Sequence, residues 1–267
     1  NLDDNPLIYD QFQHGTLLPY GLYQISADCA YGVTNDIKPK NIMQLSDVNA
    51  LARPGALSYV AGYVKGDHEC PHPIFKEILE PTRFYCLYQE QMMHMAVALG
   101  FTLDESELLR KVVGKKQIEK VKEWKDKIYA KVAEKGYNKE LGDLFWKILD
   151  DSSKYSFNAS HSVATSYLTA LTVYLKYKYP LQFYWACLKS AKDLANPLTQ
   201  IGLILKEAPR MGIKILPPNI IKSQSDFSIE GECIRFGLSN IRGISTATMN
   251  KLVSLRQEFS SKFEIFN

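Results

Sequence analysis

Apolar positions recur at helical spacing over most of this chain and change to short alternating runs near its end. Leu87, Met92, Met95, Ala96 and Leu99 make one stripe, and Gly100 supplies a stop. Asp104 and Glu107 have capping-box spacing and predict a helix start before Leu108 and Leu109. Ile118, Val121, Ile128 and Val132 share a face that stops at Gly136, and Leu141, Leu144, Phe145, Ile148 and Leu149 mark another helix. Ser160 can cap a long helix through Val163, Tyr167, Leu171, Tyr174 and Leu175, ending near Pro180. Asn196-Pro197 reads as a cap followed by proline at the first helical position. After Met211 the spacing changes. Ile213, Ile215, Phe227, Ile229, Ile234 and Phe236 alternate in short runs broken by Pro217-Pro218 and Gly231, which predicts a small β element. The tail from Asn240 returns to helix. The fold class is therefore mainly α with a small α/β appendage. Residues 1–66 form a connecting region, 67–211 a helical domain and 212–267 the appendage.

With 267 residues, 46% apolar and 23% charged, the chain can bury one or two cores. A formal net charge of +3 creates no global field, so any attraction for nucleic acid must be local. Cys29, Cys70, Cys86, Cys187 and Cys233 are scattered and odd in number, which fits a reducing, cytoplasmic setting better than a disulfide framework. No apolar run approaches a membrane span and no signal peptide opens the chain, so no membrane partner is expected. The first residue is Asn1, which suggests an internal segment of a longer polypeptide.

Candidate chemistry is concentrated in two places. Arg110, Lys111, Lys115 and Lys116 cluster around Gly114 without an intervening acid, and long cationic side chains beside a glycine suit phosphate oxygens. From Lys120 to Lys135 the cations alternate with Glu119, Glu123, Asp126 and Glu134, the pattern of a solvated helix face. Tyr155, Phe157, Asn158, Ser160 and His161 precede a helix, whose N-terminal amides and dipole favour an anion while a ring can stack on a base. The competing reading makes Tyr155 and Phe157 core residues and Ser160 merely a cap. Tyr88-Gln89-Glu90-Gln91 puts polar groups on an apolar helix; the Gln and Glu could hold nucleotide or protein, but the default reading is helix surface. His68, Cys70 and His72 lack an evident fourth ligand, so no metal site is expected. Asp3-Asp4 and Asp150-Asp151 read as surface or cap residues, and no nucleotide loop, serine elbow or zinc-helix motif occurs. No catalytic residue is assigned within the segment.

Taken in order, several stretches resemble the alpha subunit of bacterial DNA polymerase III, family C, including its phage-encoded relatives. They are Gly21–Ser26, Ala50–Gly55, Ile78–Thr82, Tyr88–Met93, Leu108–Lys116, Phe157–Ser162, Tyr174–Lys176 with Tyr179-Pro180, Gly212–Asn219 and Ile234–Leu238. The resemblance implies the fingers of a replicative DNA-directed DNA polymerase, a nucleotidyltransferase that binds an incoming dNTP and template-primer DNA. It implies that Arg110 and Lys111 face the triphosphate, although the family usually carries two arginines there. It further implies that Lys115 and Lys116 meet phosphate, and that Tyr155, Asn158, Ser160 and His161 lie against base and sugar. Ala159 stands where the family often has lysine, and Ser26 where it has glutamate. Ile241-Arg242-Gly243-Ile244-Ser245 looks like the start of a helix-hairpin-helix, with Arg242 and Gly243 toward DNA phosphate and Ser245 where a second glycine is usual. By the same resemblance the palm, with three aspartates for Mg2+, lies outside this segment, which is then inactive alone. The palm and remaining domains, the sliding clamp and other replisome subunits are implied partners. The alternative is a self-standing, non-catalytic DNA-binding or polymerase-modulating protein derived from fingers.

Overall fold

In the computed structural model, residues 1–114, 118–241, 243 and 245–256 are described. The helices in chain order are α1 (Pro6–Gln13), α2 (Asp28–Ile37), α3 (Ile42–Leu51), α4 (Val60–Lys65), α5 (Lys76–Leu79), α6 (Gln89–Ala98), α7 (Leu103–Gly114), α8 (Ile118–Glu134), α9 (Lys139–Ser152), α10 (Ala159–Lys178), α11 (Pro180–Ser190), α12 (Pro197–Glu207) and α13 (Thr246–Leu255). The strands are β1 (Lys214–Leu216), β2 (Ser228–Glu230) and β3 (Cys233–Arg235). The chain divides into two compact units, one of residues 1–17 and 23–170, the other of residues 18–22 and 171–267.

In the first unit α6, α8 and α9 bury the stripes that their spacing predicts. α10 does not: Tyr167 is 40% and Leu171 and Leu175 each 39% exposed, and the helix instead buries the face of Ser162, Ser166, Thr169, Ala170 and Val173. Phe75, Met95, Leu99, Leu109, Ile128, Val132, Leu141, Phe145 and Leu149 are all nearly inaccessible and share one core. Local chemistry fixes where the helices begin. Asn5 accepts from the Leu7 amide with Pro6 at the first helical position, and Asn41 accepts from the Gln44 amide at 2.9 Å. The capping box of α7 differs from the expected one. Thr102 and Glu105 exchange the two bonds, at 2.8 and 3.2 Å, two residues before the Asp104–Glu107 pair. Thr102 has the β-hydroxyl a cap needs, and this shift leaves the Glu107 carboxylate for other partners.

In the second unit α11 and α12 bury Tyr184, Leu188, Ile201 and Ile204 together with Phe227 and Ile234 of the small sheet. The sheet order is β1-β3-β2, with β1 parallel and β2 antiparallel to β3. Gly231, at φ +60°, makes the turn between β2 and β3. Asn196 stands at the N-cap of α12 with Pro197 at the first helical position, as expected, but in a left-handed conformation, φ 56°; its carbonyl accepts from the Thr199 and Gln200 amides while its side chain makes no capping bond. Lys176 is fully buried, donating to Glu207 at 2.6 Å and to the carbonyls of Leu18 at 2.6 Å and Tyr20 at 2.7 Å. Its desolvation is thereby offset by an ion pair and two carbonyl acceptors.

Candidate functional site

The start of α6 organises the site. Gln91 is buried, and its Oε1 accepts from the amides of Leu87 and Tyr88 at 2.9 and 3.0 Å. Its Nε2 donates to the Ile78 carbonyl and the Thr82 hydroxyl. That fixes an extended backbone ahead of the helix, which can then pair with another segment. The Phe157 amide donates to the Leu87 carbonyl, and the Gln89 amide donates to the Phe157 carbonyl, each at 2.9 Å. Beneath this bridge the Tyr88 hydroxyl donates to Asp47 at 2.7 Å, and the Tyr63 hydroxyl donates to the other Asp47 oxygen at 2.6 Å. Burial pushes the Asp47 carboxyl up to about 6, against the lowering effect of those hydroxyls and Arg83.

The pairing brings the turn before α10 against α6. Glu90 accepts from Asn158 Nδ2 and from the Ala159 amide, both at 2.9 Å. Asn158 Oδ1 in turn accepts from the His161 amide at 2.8 Å and the Ser160 hydroxyl at 2.7 Å. Asn158, rather than the expected Ser160, therefore caps α10, because its carboxamide oxygen reaches the first-turn amide directly.

From α7, Arg110 reaches the same place. Its Nη1 donates to Gln89 Oε1 at 3.1 Å, while Nε and Nη2 grip the two Glu107 oxygens at 2.7 Å each. Lys111 also pairs with Glu107, at 3.1 Å, and stays more than half exposed. The Arg110 and Lys111 donors hold the Glu107 carboxyl well below its usual range, pushed down to about 2, and the same bond raises Arg110. On the other side of the bridge, the Arg53 guanidinium lies over the Phe157 ring at 4.6 Å and His161 meets that ring edge-on at 5.5 Å. A cleft of about 230 Å3 opens there, lined by Gln24, Asn49, Arg53, Phe157, His161 and Thr165, among others.

The structure thus gathers Arg110, Lys111, Asn158, Ser160 and His161 around the start of α6. It does not bring Tyr155 to them. That ring packs on Tyr59 at 4.8 Å beside a separate hollow of about 260 Å3 lined by Tyr85, Cys86 and Leu144, and burial raises its hydroxyl pKa. Lys115, Lys116 and Arg242 lie outside the described residues. Gly243 is exposed with φ +90°, and Ser245 accepts from the Thr248 amide to cap α13. His68 stacks on Tyr85, Cys70 donates to the His72 carbonyl, and His72 accepts from the Ile74 amide. Among the described residues no group of three or more His, Cys, Asp or Glu is placed to hold one metal ion, so the described side chains do not fit a Mg2+ centre. Nor is any described helix long and apolar enough to cross a membrane.

Sequence reading missed Asp47 and Arg53, and it set Gln89 and Glu90 aside. The polar Gln89-Glu90-Gln91 run heading an apolar helix was the available signal, and taking it for helix surface was wrong: Gln91 is buried and Gln89 and Glu90 are half-buried.

The sequence matches the bacterial DNA polymerase III alpha subunit finger domain over residues 1–136 and a helix-hairpin-helix motif over residues 212–267. It is 36% identical over 265 residues to the DNA polymerase III subunit alpha of Aquifex aeolicus, covering 96% of this chain and 22% of that protein. The protein of the same name from Borreliella burgdorferi is 31% identical over 256 residues, covering 92% of this chain and 22% of its own length. That from Thermus aquaticus is 27% identical over 265 residues, covering 95% and 21%. The chain spans about a fifth of the length of these curated relatives.

Proposed function

The chain belongs to the bacterial DNA polymerase III alpha-subunit finger-domain family, and on that footing we propose that it positions an incoming dNTP and template-primer DNA for nucleotidyl transfer. The observation that carries the reading is the convergence at α6: Arg110 on Gln89, and Asn158 with the Ala159 amide on Glu90. Two segments nearly fifty residues apart in sequence thus present cation, amide and hydroxyl donors in one place. Such a set suits phosphate oxygens, which accept several donors at once and favour a helix N-terminus.

In this reading Arg110 and Lys111 meet the triphosphate, and Asn158, Ser160 and His161 meet the sugar and adjoining phosphate. Lys115, Lys116, Arg242 and Gly243 go to DNA phosphates, the last two as part of the helix-hairpin-helix. The segment contributes positioning and charge stabilisation. The carboxylates that would hold Mg2+ for the transfer belong to a palm, so the segment alone is inactive. The palm and other domains, the clamp and the replisome complete the set of partners.

Primer extension by the complete polypeptide tests the central role. Arg110→Ala removes charge-assisted bonds of about 1.5–3 kcal/mol and should lower kcat/KM for dNTP by one to two decades through a higher KM. Unchanged nucleotide kinetics would remove Arg110 from the site.

A further inference from the structure

Two adjacent residues of α3 hold both strands of the Tyr88–Phe157 pairing from below. Ser46 and Asp47 are buried, at 0% and 2% exposure. One Asp47 oxygen accepts from the Tyr88 hydroxyl at 2.7 Å, and Ser46 Oγ lies 2.8 Å from the same hydroxyl. Tyr88 directly precedes Gln89 and Glu90. On the other strand the Ser46 carbonyl accepts from Ser162 Oγ at 2.9 Å, and the Ser162 amide donates to the Asn158 carbonyl at 3.0 Å. The side chains that meet Arg110 and the start of α10 are thus one residue, or one helical turn, from an α3 contact.

The second Asp47 oxygen accepts from Tyr63 at 2.6 Å. Tyr63 lies on α4, which carries no residue of the site. The titratable and charged groups facing the carboxylate are these two phenols and the Arg83 guanidinium. Burial works against the ionised form, so above pH 7 the charge is kept at a cost to folding. What the charge supplies is geometry. A carboxylate accepts from both phenols at once, whereas an amide of the same shape turns a donor toward one of them.

We propose that Asp47 is a positioning residue for dNTP binding: by fixing the Tyr88 hydroxyl it sets where Gln89, Glu90 and Asn158 stand against Arg110. This rests on the dNTP reading of that site. Asp47 itself meets no ligand and acts through Tyr88.

Steady-state primer extension by the complete polypeptide at pH 8, with thermal unfolding of the same samples, tests the assignment. Asp47→Asn should raise the dNTP KM about tenfold and change kcat by less than about twofold, because small misplacements of binding groups are expensive. Its unfolding temperature should not fall, since a buried charge has been removed. The two phenols then separate positioning from support. Tyr88→Phe should reproduce the raised KM. Tyr63→Phe takes away the other bond to the same carboxylate, and should lower the unfolding temperature while leaving KM unchanged. Equal KM changes in the two tyrosine variants, or a raised KM in Asp47→Asn together with a lowered unfolding temperature, would make Asp47 a structural anchor and overturn the proposal. If Asp47→Asn does not fold, the tyrosine pair decides by the same criterion. If Asp47→Asn and Tyr88→Phe keep the parent KM while Arg110→Ala raises it, the positioning role fails and the dNTP reading stands. If Arg110→Ala changes nothing either, both fail.

Discussion

Replacing Glu107 by Gln should tighten dNTP binding, because Glu107 now holds the cations that the triphosphate would use. Its two oxygens each sit 2.7 Å from Arg110 nitrogens and one lies 3.1 Å from Lys111. The side chains of Arg110 and Glu107 are 25% and 33% exposed, so solvent screens much of the attraction. An interior value would overstate it; about 1 kcal/mol is appropriate for a bidentate pair of this exposure. Removing the charge should therefore lower the dNTP dissociation constant about fivefold. Gln89 still accepts from Nη1, so the guanidinium keeps one anchor. Acid cannot mimic the substitution in the working range. The carboxyl is pushed down to about 2, so its stabilising share is present above its ordinary pKa and disappears only as pH falls toward that value. Calorimetric titration of dATP into parent and variant between pH 6 and 8 reads the effect. Weaker binding to Glu107→Gln would refute the competition and make Glu107 an orienting group for Arg110.

Two further outcomes concern stability. Burial raises Asp47 from 3.8 to about 6 against the lowering effect of the Tyr63 and Tyr88 hydroxyls and Arg83, so its contribution to folding is fully present below about pH 4 and is lost as pH rises through 6. The loss is at most about 3 kcal/mol, and Asp47→Asn should flatten urea midpoints measured from pH 4 to 7. Lys176→Met strands the Glu207 carboxylate with only the Tyr20 amide and the Tyr184 hydroxyl, costing about 3–5 kcal/mol. Adding Glu207→Gln should recover part of that in the same denaturation assay.

Helix spacing carried the fold. The Leu87–Leu99 and Leu141–Leu149 stripes became buried faces, and of the late alternating positions Ile213, Phe227 and Ile234 are buried while Ile229 is exposed, since burial of a repeating face is what that pattern encodes. Caps were less legible. Thr102 and Asn158 each differ from the pattern reading, because several neighbouring residues offer a suitable oxygen and only the backbone path chooses among them. The cationic and hydroxyl members of the candidate site could be named from sequence, but not what ties them together. Gln89 and Glu90 act through a bridge between residues 88 and 157, a pairing that no local spacing records. Arg53 was invisible as a site residue for the same reason: its neighbour on the ring is over one hundred positions away.

Residues 18–22 have a consequence for the order in which the polypeptide acquires its shape. They belong to the second compact unit, where Leu18 and Tyr20 offer carbonyls to Lys176 and the left-handed turn at Gly21 fits against Phe183 and Cys187. During synthesis this short strap leaves the ribosome about 150 residues before its partners, and closing so long a loop carries an entropic cost. The strap thus waits for its C-terminal partners to emerge, and clipping it would unsettle a region far along the sequence while leaving every helix of that region intact in its primary structure.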